Sequence, residues 1–404
     1  MLRVVSIAGI YQPDRCGVAH YTAQLRHHLQ SCGIQSLVLT THAAAATVNQ
    51  PDVMGVVEDW TLSALIPLVR SLQTLPFDLL HIQHAAGTYR FERAIFLLPL
   101  LLKMTGWRKP IVTTIHEYGW WEWQPAWFPS APLEWLKQWG QAHYWWDRED
   151  GFLLTHSDAI ITTNDEAETV LRTRLPAFHD RIHRIPIAPN VEAVPIDRAT
   201  ARRSLRQTCN WHDDTEIIVF FGFLHPVKGL ETLLSVFKQV VATRPQARLL
   251  FVGGVESLAL AGTPATHYWE QLHTLVTDLN LKDAVHFTGY VAAETASRYL
   301  SGADLGVLPF NHGVTLKSGS LLTLLAHRLP VIATAADPPD PNLVAAPWLK
   351  LVAPRKAHEL TTGLLELLHT QKGSRDMGID GLQFAQHFTW DTIAAAHLKI
   401  YRNV

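Results

Sequence analysis

The chain has 404 residues, 48% of them hydrophobic, with 34 lysines and arginines against 36 aspartates and glutamates. That length exceeds what one core organises, so two domains of roughly 150–200 residues are expected, and the near-cancelling charge argues against a nucleic-acid binder, which carries a basic excess. Cys16, Cys32 and Cys209 are far apart and in no metal-ligand spacing, so they imply neither a disulfide framework nor a zinc site and point to a reducing compartment.

Taken in chain order, the apolar run 4–10 is broken by Gln12-Pro13-Asp14 and lacks a signal-peptide layout, so it reads as a first strand, over 3–9, followed by a helix over 19–30. Further strands are predicted at 35–40, 79–83, 111–116 and 159–163. The longest apolar block, 94–102, falls far short of the ~20 residues that span a bilayer. A soluble, cytoplasmic protein is expected, at most peripheral to a membrane. Residues 186–195 hold three prolines and no helical period, so they serve as the linker, with a boundary near 193. Strands follow at 217–221, 248–253, 285–289, 305–308 and 331–334, with helices at 230–243 and 318–327. Strands alternating with helices predict two parallel, doubly wound α/β sheets.

The most informative stretch is 303–334: a buried strand, a loop with Gly313 and Lys317, a helix opening near Ser318, and a second strand entered through Pro330. Helix N-termini carry unpaired N–H groups and partial positive charge, so such a loop is a candidate phosphate cradle. Lys228 and Lys317 both precede predicted helix starts, where a cation is disfavoured by about 0.3–1 kcal/mol. A diphosphate between them would account for both; the alternative for each is a solvated loop lysine. Gly222, Gly313 and Gly319 would let backbone approach phosphate closely, or simply serve turn geometry. His116 ends a strand, where doubly wound sheets place ligands, although among 22 histidines a buried structural role is the competing account. His81 and His84, separated by two residues, lack a third metal ligand in reach and are read as packing. There is no Asp-x-Asp pair, so a metal-free reaction is expected.

The order of these motifs, together with 13–22, 77–84, 112–117, 220–230 and 388–401, resembles the family 4 retaining glycosyltransferases. That resemblance implies the GT-B fold: two Rossmann-like domains facing across a cleft, residues 1–193 binding acceptor and 194–385 binding donor, with 386–404 forming a helix that crosses back onto the first domain. It implies transfer of a hexose from a nucleotide diphosphate sugar to a hydroxyl acceptor (sugar, lipid-linked sugar or small molecule) with retention, and no separate cofactor. By the same resemblance His116 lies beside the reacting sugar. Lys228, Lys317, Ser318 and amides around Gly17 and Gly319 would hold the leaving diphosphate. Gly222, Leu316 and, for the base, Tyr290 would complete the donor site.

Two departures stand out. The family carries two glutamates with seven residues between them across the donor loop; those positions are Thr315 and Thr323, neutral groups that lose the strength of a charge-assisted hydrogen bond. The arginine before Lys-Gly is replaced by Phe223, and the glycine before the last strand by Arg328. A non-catalytic GT-B subunit or nucleotide-sugar-binding protein is therefore the competing reading. Secondly, eight of the 14 tryptophans lie between Trp120 and Trp146. Indoles suit sugar stacking and membrane interfaces alike, so this segment is expected to serve the acceptor or a peripheral membrane contact.

Overall fold

The computed structural model describes residues 2–13 and 15–404; Asp14, in the predicted first turn, lies outside the described residues. The chain forms two compact units, Met1–Ile187 with Trp390–Val404, and Ala188–Thr389. The division falls a few residues ahead of position 193 because the intervening backbone is tied to the second unit. Asn190 and Val191 N–H groups donate to the Thr323 hydroxyl at 2.9 and 3.3 Å, and Val194 N–H donates to Ser297 at 2.9 Å.

The first unit is built on seven parallel strands: β1 (Arg3–Ala8), β2 (Gln35–Thr41), β3 (Val53–Val57), β4 (Leu79–His84), β5 (Ile111–Ile115), β6 (Ala159–Thr162) and β7 (Ile182–Arg184). They lie in the order β3-β2-β1-β4-β5-β6-β7. The second unit has six: β8 (Glu216–Phe221), β9 (Ala247–Val252), β10 (Val285–Phe287), β11 (Leu305–Leu308), β12 (Val331–Thr334) and β13 (Leu349–Val352), ordered β10-β9-β8-β11-β12-β13. Strands buried on both faces need continuous apolar sequence. Phe220, Leu249, Leu250, Phe251, Val307, Ile332 and the whole of β4 and β5 are accordingly enclosed.

In each sheet the order reverses beside its first strand, between β1 and β4 and between β8 and β11. Loops leaving the carboxyl ends of those strand pairs diverge to opposite faces and open a crevice, the place where doubly wound sheets bind ligands. The helix Gly17–Ser31 follows β1, and the helix Trp390–Tyr401 packs against it; Trp390 and Tyr401 are almost wholly buried. No helix among the described residues is long and apolar enough to cross a membrane.

Candidate functional site

In the second unit, the loops after β8 and β11 are zipped together. After β8 the chain enters a short turn, Pro226–Lys228, then Gly229 in the left-handed region at φ 68°, then the helix Leu230–Thr243. A Cβ on Gly229 would lie 2.1 Å from the Pro309 carbonyl oxygen, so the loop after β11 fits against it only because this residue is glycine. Asn311 secures the seam: its N–H donates to Val227 O at 3.0 Å and its side-chain amide to Pro226 O at 2.9 Å. Lys228 is held over the Phe310 ring, its Nζ 3.7 Å from the ring centroid. Loss of hydration pulls its pKa down to about 8, and among the described residues no carboxylate pairs with it. A partly desolvated, unneutralised ammonium is suited to receiving an anion.

The other wall is a strip of glycine turns. Gly222 (φ 136°) faces Ser320 in the first turn of the helix Gly319–Ala326. Gly253 (φ 145°) lies with its Cβ position 2.0 Å from the Gly222 carbonyl oxygen, and Gly254 abuts Tyr290. Tyr290, 58% exposed, thus stands at one end of a continuous backbone surface whose other end is the start of the helix Gly319–Ala326. Ser318 caps that helix by accepting from Leu321 N–H at 3.2 Å. The preceding loop is set by Leu316 N–H donating to Asp340 and by Lys317 N–H donating to the Thr315 hydroxyl. Lys317 is exposed.

Thr323 is a correction. It is fully enclosed, accepts from the Asn190 and Val191 N–H groups, and donates to Gly319 O at 2.7 Å. Its hydroxyl holds the inter-unit linker rather than facing a ligand. Gly319 likewise answers to packing, since a Cβ there would strike the Asn190 side chain. The glycines at 253 and 254 and the Phe310 ring escaped the sequence reading; the Gly-Gly pair ending a strand was the available signal.

In the first unit, Gly17 opens the helix Gly17–Ser31 with free space around it. One turn on, Tyr21 meets the His116 ring edge-on, centroids 4.8 Å apart. His116 lies just beyond β5, partly exposed, and its Nε2 is 2.9 Å from Gln83 Oε1. Burial, then the neighbouring His397, lowers its pKa, so the ring is neutral at physiological pH. His81 and His84 project to opposite faces of β4, as three residues' spacing on a strand requires. His81 contacts Thr114 and Tyr401, each at 2.7 Å, whereas His84 stacks on Tyr89 and lies 3.8 Å from Asp150. Among the described residues no group of three or more His, Cys, Asp or Glu side chains is arranged to hold a metal ion.

Between β5 and β6 the tryptophan segment is anchored by buried charge. Glu149 accepts from Gly119 and Trp121 N–H, Asp147 from Tyr118 and from the Glu149 and Asp150 N–H groups, and Arg93 spreads over the Trp121 ring at 3.7 Å. Of the eight tryptophans, Trp120, Trp123, Trp127, Trp135 and Trp145 are exposed, and Trp135 stacks with Trp139 along the helix Ser130–Ala142.

Two doubly wound units, with a lysine, a helix start and a glycine strip gathered at the switch point of the second, define the GT-B class of glycosyltransferase folds. Residues 16–192 match the model described as Glycosyltransferase Family 4, and residues 215–370 the model described as Glycosyl transferases group 1. The chain belongs to the family 4 glycosyltransferases. It is 25% identical to a D-inositol 3-phosphate glycosyltransferase 2 of Catenulispora acidiphila, over 61% of this chain and 56% of that one, so the match spans little more than half of that relative. It is 22% identical to the D-inositol 3-phosphate glycosyltransferase of Jonesia denitrificans over 96% of this chain and 91% of that one. The structure of Anabaena HepE in complex with UDP superposes with a TM-score of 0.71 at 15% identity, covering 100% of each chain, a likeness of fold.

Proposed function

We propose that this protein transfers a hexose from a nucleotide diphosphate sugar to a hydroxyl acceptor with retention of anomeric configuration and without a metal ion. The observation that carries this reading is Lys228: an ammonium lifted partly out of water onto Phe310, with no carboxylate partner among the described residues, at the switch point beside the glycine strip. Such a group develops its full electrostatic value only when a diphosphate arrives and charge grows on it as the glycosyl bond breaks. The Ser318 hydroxyl and the backbone N–H of Gly319, with Lys317, would share that charge; the nucleobase would rest on Tyr290, and Thr315 would meet the donor sugar. Binding of UDP by HepE, a fold neighbour, is in keeping with this donor class.

His116 and the loops around Gly17 would receive the sugar and its acceptor. With no nucleophilic carboxylate assigned, the acceptor hydroxyl attacks on the face the diphosphate leaves. The exposed indoles of 120–146 support either stacking on an acceptor sugar or seating at the inner surface of a membrane.

Lys228→Ala is expected to weaken nucleotide diphosphate binding by about 1.5–3 kcal/mol, the range for a hydrogen bond to a charged group, with the fold retained; unchanged affinity by calorimetry removes Lys228 from the site. A panel of labelled nucleotide sugars then tests the reaction. Transfer or slow donor hydrolysis supports an enzyme, and tight binding with neither outcome makes the chain a non-catalytic nucleotide-sugar-binding protein.

A further inference from the structure

His116 is the outermost member of a chain of buried polar side chains in the first unit. Its Nε2 meets Gln83 Oε1 at 2.9 Å. Gln83 Nε2 meets the His81 ring, 3.2 Å from Nε2 and 3.4 Å from Nδ1. His81 Nε2 lies 2.7 Å from Thr114 Oγ1, and its Nδ1 lies 2.7 Å from the Tyr401 hydroxyl. Gln83, His81, Thr114 and Tyr401 are all buried.

Donor and acceptor rules couple the protons along this chain. A carboxamide oxygen can only accept, so the His116 nitrogen facing it, Nε2, carries the hydrogen. The carboxamide nitrogen can only donate, so one His81 nitrogen must be bare, and Nε2 at 3.2 Å is nearer than Nδ1 at 3.4 Å. His81 then keeps its hydrogen on Nδ1, directed at the Tyr401 hydroxyl, and the Thr114 hydroxyl donates to the same bare nitrogen. Reversing the Gln83 amide would set its N–H groups against His116 and its oxygen against His81, requiring both rings to exchange tautomers together. The Tyr401 hydroxyl is delivered by the helix Trp390–Tyr401, whose His397 donates from Nδ1 to Ile393 O and accepts at Nε2 from the Tyr21 hydroxyl. His116 Nδ1 makes no hydrogen bond within the described residues and is not among the enclosed unpaired atoms.

We propose that Gln83 is a positioning residue: relayed through His81 from Tyr401, it fixes His116 as the Nε2-protonated tautomer, so that Nδ1 meets a substrate hydroxyl as a hydrogen-bond acceptor. The substrate part rests on the reading of His116 given under the proposed function; the tautomer part does not. A donor hydroxyl group is thereby distinguished from a carbonyl or deoxy position, because a bare nitrogen gains nothing from either.

The experiment is long-range nitrogen–proton correlation spectroscopy of the ring-15N-histidine protein near pH 7.5, with kinetics alongside. In the wild type His116 should give one neutral species, Nε2 protonated and Nδ1 bare. Gln83→Leu should turn it into a tautomer mixture and lower kcat/KM by roughly tenfold, the scale of loss when the partner orienting a functional imidazole is removed, while nucleotide diphosphate affinity stays unchanged. Gln83→Glu, which still accepts from Nε2, should restore the single tautomer at His116. Tyr401→Phe, which deletes one oxygen, should disturb the His81 signals. A wild-type His116 protonated on Nδ1, or ring signals indifferent to Gln83→Leu, overturns the proposal without need of activity. If the tautomer follows Gln83 but His116→Ala leaves transfer unchanged, the positioning stands and the substrate contact fails.

Discussion

At position 323 a hydroxyl fits where a carboxylate would not. Thr323 is enclosed between two backbone N–H donors and the Gly319 carbonyl, and a glutamate there would bring charge and bulk into a fully buried position. The departure from the family pattern was legible in sequence, but its cause was not, because the partners Asn190 and Val191 lie far away along the chain. Position 328 gives the converse lesson. Arg328 holds the left-handed backbone, φ 58°, that explains why the family places glycine there. Sequence also could not show that Asp150 is buried with one carboxylate oxygen lacking a hydrogen bond. Burial, with Asp147 and Glu149 adding repulsion, pushes this carboxyl well above the usual range despite Arg93 and Arg174. A raised folded pKa means that its stability contribution is whole below the unfolded value of about 4 and is lost as pH rises through the folded value. Asp150→Asn should therefore be more stable than the wild type at pH 8, by roughly 1.4 kcal/mol for each unit of separation between the two pKa values up to that pH, and show no advantage at pH 4. Denaturant melts at the two pH values check this.

Among elements, those that carry the candidate site were the easiest to read. The helix Leu230–Thr243 and strands β11 and β12 have long apolar runs bounded by glycine or proline, and they fall where the sequence puts them. β3, β7 and β13 were not predicted. The first is interrupted by Gly55, the second has three residues, two of them polar, and the third alternates with a lysine. All three lie toward sheet edges, where packing demands less hydrophobicity and local pattern fades. The glycine strip is a property of the elements jointly, set by how close β8 and β9 bring their ends. Gly253→Ala should cost about 1–3 kcal/mol from the backbone conformation alone, plus the clash of a Cβ 2.0 Å from the Gly222 oxygen. Chemical denaturation should register the loss and calorimetry a weakened nucleotide diphosphate. Wild-type values for both would mean that the strip is pliable and not a template.

For the whole molecule, the alternation of strands and helices made the doubly wound class and the number of units readable, because that pattern repeats in every stretch of the chain. The point of division was displaced by a few residues, since it depends on hydrogen bonds to Thr323 and Ser297 rather than on the prolines. Residues 390–404 belong with 1–187. Removing them would uncover Tyr21, His81 and the face of the helix Gly17–Ser31 that covers Trp390. A chain ending at Thr389 should show a selectively destabilised first unit, cut by protease within 1–187 at a temperature where 188–389 still resists. Equal resistance of both units would show the helix to be dispensable.

The discontinuity of the first unit also orders events during synthesis. Its seven strands leave the ribosome early, yet the residues that seal Tyr21 and His81 emerge only after all of 188–389, roughly 10–40 s later at typical elongation rates. Throughout that interval the second unit can finish folding while the first carries an open apolar seam, the condition in which a nascent chain recruits a chaperone. Arrested translation intermediates that halt at 389 should therefore hold holdase on the earlier-made unit, and release it only once 390–404 have emerged from the ribosome.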